Sequence, residues 1–186
     1  MTVSPQLDER FREAAAAGGL LDVAFDVLET DIGTLLVGVS DHGLCRIHFD
    51  PVPERDVEEL ARTFGPRVLR ASKPVDRARI ELDQYLAGKR RVFDLDVDVR
   101  FVPEYHKRVL HELVRVGYGE TTTYGTLAAR TGNPRAARAI GTVMNRNPIP
   151  IVLPCHRVVG ANGSLTGYGG GLERKEHLLR LEGAIL

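Results

Sequence analysis

The chain has no tryptophan, and its only two cysteines, Cys45 and Cys155, stand far apart in 186 residues. Two remote thiols, with no CxxC and no Cys/His cluster at zinc-ligand spacing, argue against a disulfide framework and predict no structural metal. No apolar run approaches the ~18–20 residues that a membrane helix needs. The opening MTVSPQLDERFREAAAAGGL has neither a basic n-region nor an apolar h-region, so no secretory leader is expected. These absences predict a cytoplasmic protein with free thiols. No cofactor motif is present either. What remains, 43% hydrophobic and 27% charged residues, is the balance of an ordinary soluble globular protein.

A second absence is local. Net charge is zero, but residues 1–100 hold 14 basic against 19 acidic side chains, and residues 101–186 hold 11 against 6. From Thr121 to Leu172 there are five arginines (Arg130, Arg135, Arg138, Arg146, Arg157) and no carboxylate. Such a tract is a candidate footprint for a polyanion; the bland alternative is chance clustering in a loop-rich region.

The patterning predicts an α+β protein in three parts: a loose arm or short helix over 1–20, an α+β domain over 21–100, and a mostly helical domain over 101–186. DVAFDVLET (22–30), GTLLVGVS (33–40) and GLCRIHF (43–49) alternate as strands. Gly33 and Gly43 mark the hairpin turns of an antiparallel meander. Residues 53–64 read as a helix with Pro in its first turn. Residues 73–86 read as another, with Val75, Ile80, Leu82, Tyr85 and Leu86 as candidate buried positions. FDLDVDV (93–99) alternates strictly and predicts an edge strand. Past 101, residues 103–116 suggest a helix with a stripe of Val109, Leu110, Leu113 and Val114. A short helix follows, capped by Thr122 or Thr123. Gly132-Asn133 breaks it, and Pro134 opens the next helix, which runs to about Asn145. Helix, tight turn and helix make a candidate helix-turn-helix. Its second helix begins Pro134-Arg135-Ala136-Ala137-Arg138, small residues beside arginines that would let a helix N-terminus approach a phosphate backbone. A helical hairpin that only packs is the alternative.

The prolines at 148, 150 and 154 predict an extended path that delivers Cys155. Cys45, between Leu44 and Arg46 in a strand, reads as a small apolar filler. Cys155 is followed by His156 and Arg157 in an arginine-rich segment, an electropositive setting that predicts a lowered thiol pKa. On an extended chain, neighbouring side chains point apart. His156 therefore reaches Cys155 only through a local turn or a bridging water, and it needs an orienting acceptor; Glu173, Glu176 and Glu182 are the candidates. The glycine-rich Gly167-Tyr168-Gly169-Gly170-Gly171 permits close backbone approach and could wall a pocket for a flat ring.

PCHRVVG followed by GYGGGLERKEHLLRLEG, together with GETTTYGTLAARTGNPRAARAIGTVMNRNPIPIVLPCHRV, resembles the core of the O6-alkylguanine-DNA alkyltransferases from about Pro103 to Gly183. Residues 21–100 resemble that family's N-terminal domain, a ribonuclease H-like unit, in layout only. The resemblance implies that Cys155 is the alkyl acceptor and His156 its base, acting through a water. It implies that Glu182 orients the histidine and Asn147 braces the turn before the active site. Tyr124 would push the target phosphate and donate a proton to the leaving guanine, and Arg138 would enter the base stack in place of the flipped nucleotide. Thr123, Tyr124, Pro134, Arg135, Ala136 and Ala137 would lie against DNA. Tyr168, Gly169, Gly170 and Val158 would line the guanine pocket. Where the family often has serine this chain has Gly169, and where it commonly has Phe-Gln and a Trp this chain has Tyr105-His106 and Leu110. The resemblance further implies single-turnover repair of O6-alkylguanine, and of O4-alkylthymine, in double-stranded DNA bound by its minor groove, with no cofactor. The protein would be a monomer, with cooperative binding along DNA left open. Two other readings stand beside it: a lesion sensor on the same scaffold without alkyl transfer, and a Cys-His hydrolase with no DNA role.

Overall fold

The computed structural model describes residues 4–186, which fall into two compact units. One holds the chain up to Tyr85 together with Asp94–Asp98; the other holds Leu86–Phe93 and Val99–Leu186.

In the first unit the amino-terminal segment is a helix, α1 (Pro5–Ala17), opened by the Ser4 side chain, which accepts from the Leu7 amide. The meander follows at the expected places: β1 (Val23–Thr30), β2 (Gly33–Ser40) and β3 (Gly43–Phe49), each pair antiparallel. Both turns end on a glycine in the left-handed region, Gly33 at φ 101° and Gly43 at φ 123°, a conformation that costs other residues steric energy. At Gly43 a side chain is also excluded by space, since a Cβ would lie 2.3 Å from the Asp96 carbonyl oxygen.

Helix α2 (Pro53–Phe64) returns the chain to β4 (Val68–Arg70), which lies parallel to β1 and makes the order β3-β2-β1-β4. The sheet is therefore mixed rather than purely antiparallel. Three residues are too few to display a period, which is why alternation does not reveal β4. Val23, Phe25, Leu36, Cys45, Leu60 and Val68 form the core against which Val57, Ala61 and Phe64 of α2 pack. Burial drives the Cys45 thiol up to about 12, so this cysteine is an inert filler, as its strand context predicts.

A 3-10 turn at Lys73–Val75 leads into α3 (Asp76–Leu86). Val75, Leu82 and Tyr85 are buried, Leu86 is half-buried, and Ile80 faces solvent. The expected strand over 93–99 does not form. That segment meets β3 at Leu44 alone, where Leu44 N donates to Asp96 O and Asp98 N to Leu44 O, both at 2.8 Å. The Asp98 carboxylate accepts from Ser40 Oγ at 2.7 Å, while at the other end the Asp94 amide donates to the Glu81 carboxylate of α3 at 2.8 Å, so the segment is shared between the sheet edge and α3 instead of running along the edge.

In the second unit α4 (Glu104–Val114) buries Val109, Leu110 and Leu113, while Val114 is exposed and Val116, beyond the helix, is buried instead. The two-residue strand β5 (Thr122–Thr123) runs into α5 (Tyr124–Arg130), whose cap is Thr123: its hydroxyl accepts from the Thr126 amide at 3.0 Å. A turn through Gly132 at φ 86° leads to α6 (Ala137–Asn145). Helices α5 and α6 pack on each other and α4 lies against both. Pro134 does not open α6; residues 134–135 are turn, held by Ala136 N donating to Asn133 O at 2.9 Å, and the helix begins at Ala137 after Ala136 as its N-cap. The Asn133 side chain accepts from the Arg135 amide at 3.2 Å, a local bond that competes with helix entry. After the segment carrying Cys155 come β6 (Val158–Val159), parallel to β5, a loop, and α7 (Leu172–Leu181). No helix among the described residues is long and apolar enough to cross a membrane.

Candidate active site

The segment before Cys155 is a compact turn rather than the extended path its prolines predict. Ile149, Ile151 and Leu153 are all buried and anchor it, and Asn147 satisfies its polar groups. The Asn147 side-chain oxygen accepts from the Ile149 amide at 3.1 Å, while its nitrogen donates to Leu153 O at 2.7 Å and to Cys155 Sγ at 3.1 Å. Ile151 sits at φ 75°, a left-handed conformation that costs a β-branched residue ~1–3 kcal/mol. Burial and the asparagine bonds offset that strain.

Cys155-His156-Arg157 then form one 3-10 turn, all three buried. Three residues per turn set successive side chains about 120° apart around the axis, so the turn alone does not lay the His156 ring on the Cys155 sulfur. Glu182, the C-cap of α7, collects what the turn presents. Its carboxylate lies 3.1 Å from His156 Nε2 and accepts from Arg157 Nε and Nη2 at 2.9 and 2.7 Å and from the Gly119 amide at 3.3 Å. Arg157 also donates to Val116 O. One carboxylate thus holds the histidine and neutralises the neighbouring guanidinium.

The electrostatics of the thiol are the reverse of those expected, and burial is the main cause. Burial pushes Cys155 up to about 11, against the opposing pull of the Asn147 bond, the Lys175 charge and backbone N–H groups. At neutral pH the resting thiol is protonated. His156 moves the other way: burial drives it below the ordinary imidazole value, outweighing the pull of Glu182. A neutral imidazole with Nε2–H donating to Glu182 leaves the Nδ1 lone pair as a base. The turn thus holds a thiol rather than a ready-made thiolate, with the neutral His156 as the next residue.

Lys175 is the residue that motif reading missed. It is fully buried on α7, and its ammonium donates to Val158 O at 2.5 Å and Thr166 O at 2.7 Å. Burial lowers it to about 8, while Cys155 pulls the other way. A signal was there: Lys175 shares the 3–4 spacing of Leu178, Leu179 and Glu182, the buried face of α7,.

Cys155, His156, Glu182 and Asn147 are therefore brought together. Val158 is fully buried in β6, two residues past the histidine. Tyr124 opens α5 half-buried, and its phenolic oxygen accepts from Thr166 Oγ1 at 3.3 Å. Tyr168, half-buried, and Gly169, exposed, lie on the loop entering α7, where Gly170 is buried. Thr123 caps α5; Pro134 and Arg135 are exposed in the turn, Ala136 and Ala137 are half-buried, and Arg138 is exposed on the first turn of α6.

Residues 23–99 match the model of the 6-O-methylguanine DNA methyltransferase ribonuclease-like domain, and residues 104–184 that of its DNA-binding domain. A methylated-DNA–protein-cysteine methyltransferase of Methanosarcina acetivorans is 40% identical over 171 residues, which cover 86% of this chain and 98% of that one. The chain belongs to the methylated-DNA–protein-cysteine methyltransferase family. A family member from Mycolicibacterium paratuberculosis is 52% identical over 102 residues, 55% of this chain and 61% of its own. Among solved structures, Mycobacterium tuberculosis OGT in complex with DNA superposes with a TM-score of 0.76 at 35% identity, over 86% of this chain and 92% of that one. The O6-methylguanine-DNA methyltransferase of the hyperthermophilic archaeon Pyrococcus kodakaraensis gives 0.60 at 28% identity, over 87% and 99%. The α+β class read from the sequence agrees with both.

Proposed function

We propose that this protein repairs double-stranded DNA by moving an alkyl group from guanine O6, and from thymine O4, onto Cys155 in one irreversible turnover. The observation that carries this is the buried cluster of Cys155, Asn147, His156 and Glu182, in a chain whose family transfers methyl groups from DNA to a protein cysteine. DNA docks by its minor groove on α5, the Gly132 turn and α6, a surface with arginines and no carboxylate. Arg138 takes the place of the extruded nucleotide in the stack, at an unstacking cost of a few kcal/mol. The flipped base enters between Val158 and the Tyr168-Gly169-Gly170 backbone. The repairing species is a monomer.

A bridging water carries the thiol proton to Nδ1 of His156, and Glu182 stabilises the imidazolium that forms. The sulfur attacks the alkyl carbon in line; the S–C bond forms as the C–O6 bond breaks, and its electron pair stays on the base. Tyr124 gives its phenolic proton to a ring nitrogen of guanine and regains one from solvent, to which His156 releases the proton it took from the thiol. The products are a thioether at Cys155 and an unmodified guanine. Each molecule acts once, because the thioether is stable.

The test is Cys155→Ala. Transfer from an O6-methylguanine duplex is abolished and binding of that duplex persists; loss of binding would make Cys155 a structural residue and overturn its role as acceptor.

A further inference from the structure

The hydroxyl of Thr166 stands on the loop between β6 and α7 and donates to the phenolic oxygen of Tyr124 at 3.3 Å. A bond between two hydroxyls near the surface is worth little on its own. This one is held from beneath. The backbone carbonyl of Thr166 accepts from the buried Lys175 ammonium at 2.7 Å, and the same ammonium holds Val158 O at 2.5 Å. Lys175 thus fastens the far end of the loop to the strand that follows the Cys155 turn, and the Thr166 side chain is what the fastened loop presents to Tyr124. The direction of the bond matters. A phenol that accepts through its oxygen keeps its own proton for another acceptor, and a bond to the oxygen favours the charge left behind when that proton departs.

We propose that Thr166 is a positioning residue for Tyr124: its hydroxyl turns the phenolic proton of Tyr124 toward the leaving base, with the Lys175 clamp fixing the loop that carries it. This rests on the alkyl-transfer reading above and adds a group to it. During transfer the Tyr124 O–H bond breaks and a ring N–H bond forms on guanine, while Thr166 keeps its proton and donates to the transient phenolate.

The experiment compares Thr166→Val, which removes the hydroxyl at nearly constant shape, with Thr166→Ser, which keeps it. The readout is the single-turnover rate of methyl transfer from an O6-methylguanine duplex. Thr166→Val is expected to slow transfer about tenfold, a fraction of the ~10²–10⁴-fold that a positioned proton donor itself contributes, and Thr166→Ser to restore most of the rate. In a Tyr124→Phe background Thr166→Val is expected to change nothing further, since the two act through one proton. Alkylation of Cys155 by iodoacetamide, which expels no guanine, is expected to be equal in wild type and Thr166→Val. A normal transfer rate in Thr166→Val, a full additional loss in the Tyr124→Phe background, or a parallel loss of iodoacetamide reactivity overturns the proposal while leaving alkyl transfer to Cys155 intact. Absence of methyl transfer in the wild-type protein would sink the underlying reading itself.

Discussion

The charge of a single side chain depends on what its neighbours have already spent. Arg157 follows Cys155 and His156 in sequence, and adjacency alone predicts help for a thiolate. In the structure that guanidinium is committed to Glu182 and to the Val116 carbonyl, so burial decides and the thiol rises to about 11. The sign then follows for reactivity. Below that value the thiol is mostly protonated, and the thiolate fraction grows about tenfold per pH unit. Iodoacetamide modification of Cys155 is therefore expected to climb steadily from pH 7 to pH 10 without levelling; a plateau below pH 8 would show a thiolate already formed. Glu182 makes a stability prediction as well. Removing it leaves a buried guanidinium uncompensated, which costs ~3–5 kcal/mol. Glu182→Ala is thus expected to lower the melting temperature by about 6–20 °C, and an unchanged melt would mean that Arg157 finds another partner. The motif pointed to Cys155, His156, Asn147 and Glu182. It did not point to Lys175, because a lysine reads as surface until the buried face of α7 is known.

Elements were legible where period and punctuation agreed. The strands of the meander and α2 lie where alternation, Gly33, Gly43 and Pro53 put them. The misses share one cause, that a local pattern does not know its partner. Residues 93–99 alternate like a strand, yet they meet the sheet edge through one bridge and the Ser40–Asp98 bond while Asp94 bonds to Glu81 of α3. Pro134 suits a helix start, but the Asn133 side chain captures the next amide and delays α6 to Ala137. The prolines before Cys155 stop a helix without imposing extension, because Asn147 bonds at both ends of a turn. The exposed Arg138 on the first turn of α6 carries the prediction for this scale. Arg138→Ala is expected to slow repair of duplex DNA far more than reaction with free O6-benzylguanine, which needs no flipping. Equal losses would remove Arg138 from the base stack and make it a general support of the site.

Across the whole chain, charge is distributed so that residues 1–100 carry a surplus of acids and residues 101–186 a surplus of bases, with no carboxylate from Thr121 to Leu172. The family's DNA-binding domain model covers 104–184, so the basic surplus and the domain coincide. Zero net charge conceals this, and only its distribution along the sequence points to a polyanion. If the molecule is consumed by its own reaction, intact-protein mass after incubation with a duplex carrying one O6-methylguanine records it. The expected result is a gain of about one methylene (~14 Da), mapped to the peptide of Cys155 and stopping at one equivalent per chain. Retained DNA binding with no mass gain, or continued turnover of substrate beyond one equivalent, would contradict it.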